Sequence, residues 1–187
     1  MKYLIIGLGN PGAEYENSRH NIGFKVLDAL ISAPNTSFKT DRYADVAELK
    51  FKGRKLVFIK PNTFMNLSGK AVNYWMQQSK IEATNILVVT DDISLPFGVL
   101  RMRKKGSDGG HNGLKDINSV IGNNNYARLR FGVGNDFPRG KQVDFVLSNF
   151  TDVDNKSIEE RIDLAIMMIQ GFVTIGVDQT MSEFNGK

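Results

Sequence analysis

Cysteine is missing from all 187 residues, which excludes disulfides, thiol nucleophiles and thiolate metal sites together. Histidine is almost as scarce, with His20 and His111 alone, so a histidine-rich metal centre is excluded too. No HExxH or GxSxG stretch occurs, which removes the usual zinc-protease and serine-elbow patterns. No segment approaches the ~20 continuous apolar residues that a membrane span needs. The apolar N-terminal run carries no basic leader and no small-residue cleavage site, so the expectation is a cytoplasmic protein with no membrane partner. Neither charge sign dominates: 24 Lys and Arg stand against 20 Asp and Glu. That excess is compatible with an anionic partner such as nucleic acid but does not demand one.

What is present alternates between strand-like and helix-like segments. Tyr3 to Leu8, Leu56 to Lys60 and Ile86 to Thr90 are short runs rich in Ile, Leu and Val, the pattern of strands buried on both faces. Asp45 to Lys50 and Leu129 to Val133 read as further strands. Helical spacing joins Ile22, Val26, Leu27 and Leu30, then Val72, Trp75 and Met76, then Leu114, Ile117 and Ile121, and finally Ile158, Ile162, Ala165, Ile166 and Ile169. With no repeat and no long linker, these segments predict one α/β domain over residues 1–187, with helices covering a central sheet. Phe51-Lys-Gly-Arg-Lys55 reads as a hairpin turn, which makes the sheet mixed.

The stretch GLGNPG at 7–12 matches the glycine spacing of a dinucleotide-binding loop. Its context does not: Pro11 lies between the second and third glycines, the helical pattern starts only near Asn21, and Asp28, at the place of the expected ribose-binding acid, falls inside that pattern. A tight turn that places Asn10 accounts for the same residues, and no nucleotide cofactor is expected.

Asn10 follows one apolar run, Pro61 to Asn66 follow a second, and Asp91 closes a third. If those strands are parallel, Asn10, Asn66 and Asp91 share a site beyond their carboxyl ends. Taken singly, a turn asparagine, a helix cap and a solvated acid pair at Asp91-Asp92 account for them better; taken jointly, less well. Both histidines lie in polar, glycine-associated segments, and His111 directly precedes a helical pattern, where free backbone N–H groups suit an anion. Capping of that helix by Asn112 is the plainer role. In Leu100 to Lys105 the alternation puts Arg101, Arg103 and Lys105 on one strand face, either a solvated face or a phosphate-binding stripe that Arg128, Arg130, Arg139 and Lys141 extend. An exposed histidine, an acid to orient it and several amides are the parts of a metal-free hydrolase with histidine as general base.

The chain resembles bacterial-type peptidyl-tRNA hydrolases from about residue 2 to 184. The resemblance is carried by LIIGLGNPG at 4–12, Tyr15, Arg19-His-Asn-Ile-Gly23, KPNTFMNLSG at 60–69, Asp91 with Leu95-Pro96 and Gly98, GGHNGLKDI at 109–117, RLRFGVG at 128–134 and Phe145-Val-Leu147. It implies a single α/β domain with a twisted mixed sheet, acting as a monomer without a metal or other cofactor. The implied reaction is hydrolysis of the ester between a peptide and the 3′ end of tRNA. The implied catalytic base is His20, oriented by Asp91. Asn10, Asn66 and Asn112 would hold substrate and water, with Met65, Tyr15, Asn21 and His111 lining the cleft. Arg103, Lys105 and Arg130 would meet tRNA phosphates. Thr90 and Ser94 depart from the family pattern, as do Asp108 in the glycine loop and Asn135 to Arg139. A non-catalytic RNA-binding module would explain the basic stripe but leave His20 and Asp91 idle.

Overall fold

A computed structural model describes residues 1–32 and 36–186. Strands β1 (Lys2–Gly7), β2 (Lys39–Asp41), β3 (Ala44–Phe51), β4 (Arg54–Pro61), β5 (Ile86–Asp92), β6 (Leu100–Arg103) and β7 (Ala127–Gly132) form one sheet. Their spatial order is β2-β3-β4-β1-β5-β7-β6. The four central strands β4, β1, β5 and β7 are parallel, and the outer pairings β2·β3, β3·β4 and β6·β7 are antiparallel. The mixed sheet expected from the sequence is therefore present, and the hairpin turn closes at Lys52-Gly53, with φ 45° and 76°, between the paired Phe51 and Arg54.

Helices cover both faces because the central strands are apolar on both. Tyr3, Ile5, Leu87 and Val89 point to one side, under α1 (Ile22–Ile31) and α6 (Ile158–Thr174). Leu4, Ile6, Val57 and Val88 point to the other, under α2 (Ser68–Ser79) and α3 (Asn112–Ile121), where Val72, Trp75, Leu114 and Ile117 close the layer. α4 (Gln142–Leu147), α5 (Asp152–Asn155) and α7 (Val177–Phe184) complete the helices, and neither they nor β2 are expected from the sequence patterns.

The GLGNPG glycines serve this packing. A Cβ on Gly7 would lie 2.4 Å from the carbonyl oxygen of Gly23, and one on Gly23 would lie 2.4 Å from the amide nitrogen of Leu8. α1 thus presses directly onto the end of β1, and it begins at Ile22 rather than after Gly12, which removes the helix N-terminus a pyrophosphate would need. One expectation fails at β6: the strand ends at Arg103, so Lys105 lies beyond it and does not continue the face of Arg101 and Arg103. Among the described residues no helix is long and apolar enough to cross a membrane.

Candidate active site

Parallel pairing of β4, β1 and β5 brings their carboxyl ends to one edge of the sheet, and a cleft opens there lined by Asn10, His20, Met65, Asn66, Asp91 and His111, among others. Asn10 lies just beyond the end of β1, Met65 and Asn66 follow β4, and Asp91 is the second-last residue of strand β5. His20 belongs to a 3-10 turn, Arg19–Asn21, that leads into α1.

At the centre, Asp91 is buried and serves two imidazoles. His20 Nδ1 lies 2.9 Å from both carboxylate oxygens, and His111 Nε2 lies 2.8 Å from Oδ1. The tautomer of His111 follows from its surroundings. Its Nδ1 accepts the backbone N–H groups of Gly113 and Leu114 at 3.1 and 3.3 Å, so its ring proton sits on Nε2 and is donated to Asp91, with Thr90 Oγ1 also within 2.9 Å. His111 is therefore the cap of α3, and the expected cap, Asn112, is instead the first helical residue, exposed at the cleft.

Burial alone would raise the Asp91 carboxyl, but the charges of His20 and His111 and their hydrogen bonds outweigh it and hold the group well below the usual carboxylate range. For His20, burial works against the charged ring, while the Asp91 charge and hydrogen bond more than offset it and leave the pKa raised. With Nδ1 committed to Asp91, Nε2 is the nitrogen free to take a proton. His20 is 9% exposed. The sequence reading of an exposed histidine is corrected accordingly: the base is sunk at the cleft floor beside a buried acid.

These three side chains are also the only ones among the described residues whose ligand atoms cluster closely enough for a cation, all within 4.8 Å. The donor set fits a cation poorly. His111 spends the Nδ1 lone pair on its helix cap, so ligation through Nε2 would require stripping the ring of its remaining proton.

The asparagines divide into two jobs. Asn21 is buried with both ends of its amide engaged: Oδ1 accepts the N–H of Asn10 at 2.9 Å and Nδ2 donates to the Asn10 carbonyl at 2.9 Å. It clamps the loop that carries Asn10 and does not line the cleft, contrary to the sequence expectation. Asn10 in turn accepts the Met65 N–H at 2.7 Å through Oδ1, which fixes the amide orientation and leaves Nδ2 as a donor without a hydrogen-bond partner among the described residues. Asn66 is an exposed lining residue. Tyr15, half-buried on the turn Ala13–Tyr15, is not among the residues lining this cleft.

One end of the cleft is basic. The antiparallel register sets Arg101 opposite Arg130 and Arg103 opposite Arg128, and Arg103, Lys105, Arg128 and Arg130 all line the cavity. Their states differ. Arg128 is 2% exposed, donates to the carbonyls of Ser107 and Asn124, and so holds the glycine loop rather than extending a surface. Arg130 pairs with Asp92 through Nε and with Ser94 Oγ at 2.9 Å. Arg103 is held below its ordinary value by partial burial and by the neighbouring charges of Arg101 and Arg130.

A family model described as peptidyl-tRNA hydrolase matches residues 4–187. The chain belongs to the peptidyl-tRNA hydrolase family. A peptidyl-tRNA hydrolase of Bacteroides fragilis is 57% identical over 187 residues, with both chains covered completely, and one of Cytophaga hutchinsonii is 55% identical over the same span. Among solved structures, the peptidyl-tRNA hydrolase of Acinetobacter baumannii superposes with a TM-score of 0.92 at 32% identity, covering 98% of this chain and 94% of that one. The family resemblance stated from the sequence motifs and the mixed α/β fold it implied both hold.

Proposed function

We propose that this chain hydrolyses the ester linking a peptide to the 3′ end of tRNA, releasing free tRNA. The observation that carries the reading is His20 with its Nδ1 on a buried, ionised Asp91 and its Nε2 free in the cleft. Nε2 takes a proton from water as that water attacks the ester carbonyl, and Asp91 fixes the tautomer and stabilises the imidazolium that forms. His111 keeps Asp91 ionised by donating to it. The Nδ2 of Asn10, aimed by the Met65 contact, is a ready donor to the developing oxyanion, and the exposed amides of Asn66 and Asn112 are further partners for substrate and water. Met65, buried against α3, forms the apolar wall beside them. Asn21 enters this reading only through its clamp on Asn10.

Arg103 and Lys105 meet tRNA phosphates, with Arg130 supporting them from its ion pair with Asp92. Like charges on opposed rungs of β6 and β7 repel unless an anion joins them, which suits a phosphate backbone. The base edges of a duplex need not be read, since the unpaired 3′ end enters the cleft. The protein works as a monomer, in the cytoplasm where its substrate occurs, with no cofactor.

The test is release of N-acetyl-aminoacyl groups from tRNA, with the matched free aminoacyl-tRNA as control. Catalytic release from the blocked substrate supports the reading. Binding of tRNA without release would make the chain an RNA-binding module instead.

A further inference from the structure

Directly beside His20 in the chain stands a cation that the mechanism does not use. Arg19 is 5% exposed, and its guanidinium meets Phe145 and residues 148–154, at the end of a helix that forms one wall of the cleft. Nη1 donates to Ser148 Oγ at 2.6 Å and to the carbonyl of Asn149, and Nη2 lies 3.6 Å from Asp154 Oδ2. The planar group also stacks on aromatic rings, with Cζ 4.3 Å from the centroid of Phe145 and 5.6 Å from that of Phe150. Backbone contacts run alongside, from the N–H of Arg19 to the Ser148 carbonyl at 3.0 Å and in the bridge between Ser18 and Asn149.

The wall in question is α4. Its Val143, Val146 and Leu147 line the cleft at helical spacing, while Phe145 turns back toward Arg19. A six-residue helix has little stability of its own, so its place is set by what it rests on. Nε of Arg19 is buried with no partner among the described residues, a standing cost that an apolar residue in the same space would not carry.

We infer that Arg19 is a positioning residue: it ties the α4 wall to the His20 turn, and so holds the cleft at the width that binds the ester-bearing end of the substrate. Asp91, not Arg19, orients the His20 ring, so loosening Arg19 leaves the base intact. What falls is the fraction of molecules with the wall in place, and apparent affinity falls in proportion to that fraction. The inference rests on peptidyl-tRNA hydrolysis as the reaction, and it is tested in a way that separates the two.

Arg19→Lys keeps the charge but loses the two-pronged donor and the flat stacking face. On N-acetyl-aminoacyl-tRNA it should raise KM about tenfold with kcat within about twofold and the acidic limb of the pH profile unmoved. Hydrogen exchange of the amides at 142–147 should quicken. Ser148→Ala removes one acceptor of the same link, so it should shift KM and exchange in the same direction by less. Combined with Arg19→Lys it should add little. Unchanged KM and unchanged exchange in both variants would overturn the inference, as would a fall in kcat with a displaced acidic limb, which would mean that Arg19 acts on the base. Should Arg19→Lys fail to fold, Ser148→Ala decides alone by the same two readouts. If the wild-type chain releases nothing, the functional reading fails, and exchange at 142–147 still reports whether Arg19 holds the wall.

Discussion

Replacing Asp91 by asparagine keeps the shape of the central acid and removes its charge, and the neighbouring histidines determine the result. His111 must present an N–H to position 91, because its other nitrogen is occupied by the N–H groups of Gly113 and Leu114. An amide at position 91 therefore turns its oxygen toward His111, 2.8 Å away, and its NH2 takes the place of Oδ2, 2.9 Å from His20 Nδ1. Two donors now face each other, and the conflict is relieved when His20 moves its proton from Nδ1 to Nε2. The nitrogen that should accept the water proton is then protonated. Reversal of a catalytic histidine tautomer in serine proteases costs about 10⁴-fold, and general base catalysis contributes ~10²–10⁴, so kcat/KM should fall about 10³–10⁴-fold. The pKa of His20 is raised by the Asp91 charge, so without it the acidic limb of kcat/KM should also move to lower pH. The assay is release of N-acetyl-aminoacyl groups across the pH range, with a parallel set in a His111→Ala background. There the amide is free to turn its oxygen to His20, and the penalty should shrink to about 10²-fold. A loss below tenfold, an unmoved limb, or an equal penalty in both backgrounds would refute the shared-acid arrangement.

Activity should persist in excess EDTA, because His111 has no lone pair to spare for a cation; loss of activity that zinc or magnesium restores would contradict this. Arg103→Ala and Lys105→Ala should raise KM more than they lower kcat and should flatten the dependence of tRNA binding on salt, since each lost phosphate contact releases fewer counterions. An unchanged slope in both would take these residues off the tRNA surface. Gly23→Ala forces a Cβ to within 2.4–2.6 Å of backbone atoms of Leu8 and Val89, which cannot give way without moving β1 or β5. It should lower stability by about 3 kcal/mol or more in denaturant unfolding, and a change below ~1 kcal/mol would show that α1 can shift.

The apolar runs of β1, β4 and β5 are legible in the sequence because strands buried on both faces leave an unbroken hydrophobic signature. The convergence of Asn10, Asn66 and Asp91 follows once those strands are taken as parallel. The sheet order is not legible, since it depends on which strands find each other across long separations. Local roles are not legible where backbone groups compete for side chains. His111 caps α3 through a ring nitrogen, a use that resembles none of the common capping residues, and Asn21 folds back on Asn10 instead of lining the cleft. α7 leaves no clear signature because Val177 to Phe184 is mostly polar. Asn185, which follows it, pairs its side-chain amide with both backbone groups of Met102 at 2.8 and 3.1 Å, a contact no local pattern reveals. The burial of Arg19 and Arg128 was equally hidden, because a positive charge in sequence reads as surface until its partners are placed.

The central claim is that His20 removes the proton from the attacking water, and single-turnover hydrolysis of N-acetyl-aminoacyl-tRNA by His20→Ala, with tRNA affinity measured on the same protein, tests it most directly. The account predicts a loss of about 10²–10⁴-fold in the rate of the chemical step, with tRNA affinity within about twofold of the parent because the proposed phosphate contacts come from Arg103 and Lys105 and not from His20. A rate within tenfold of the parent, or a loss that appears entirely in tRNA affinity, would contradict it.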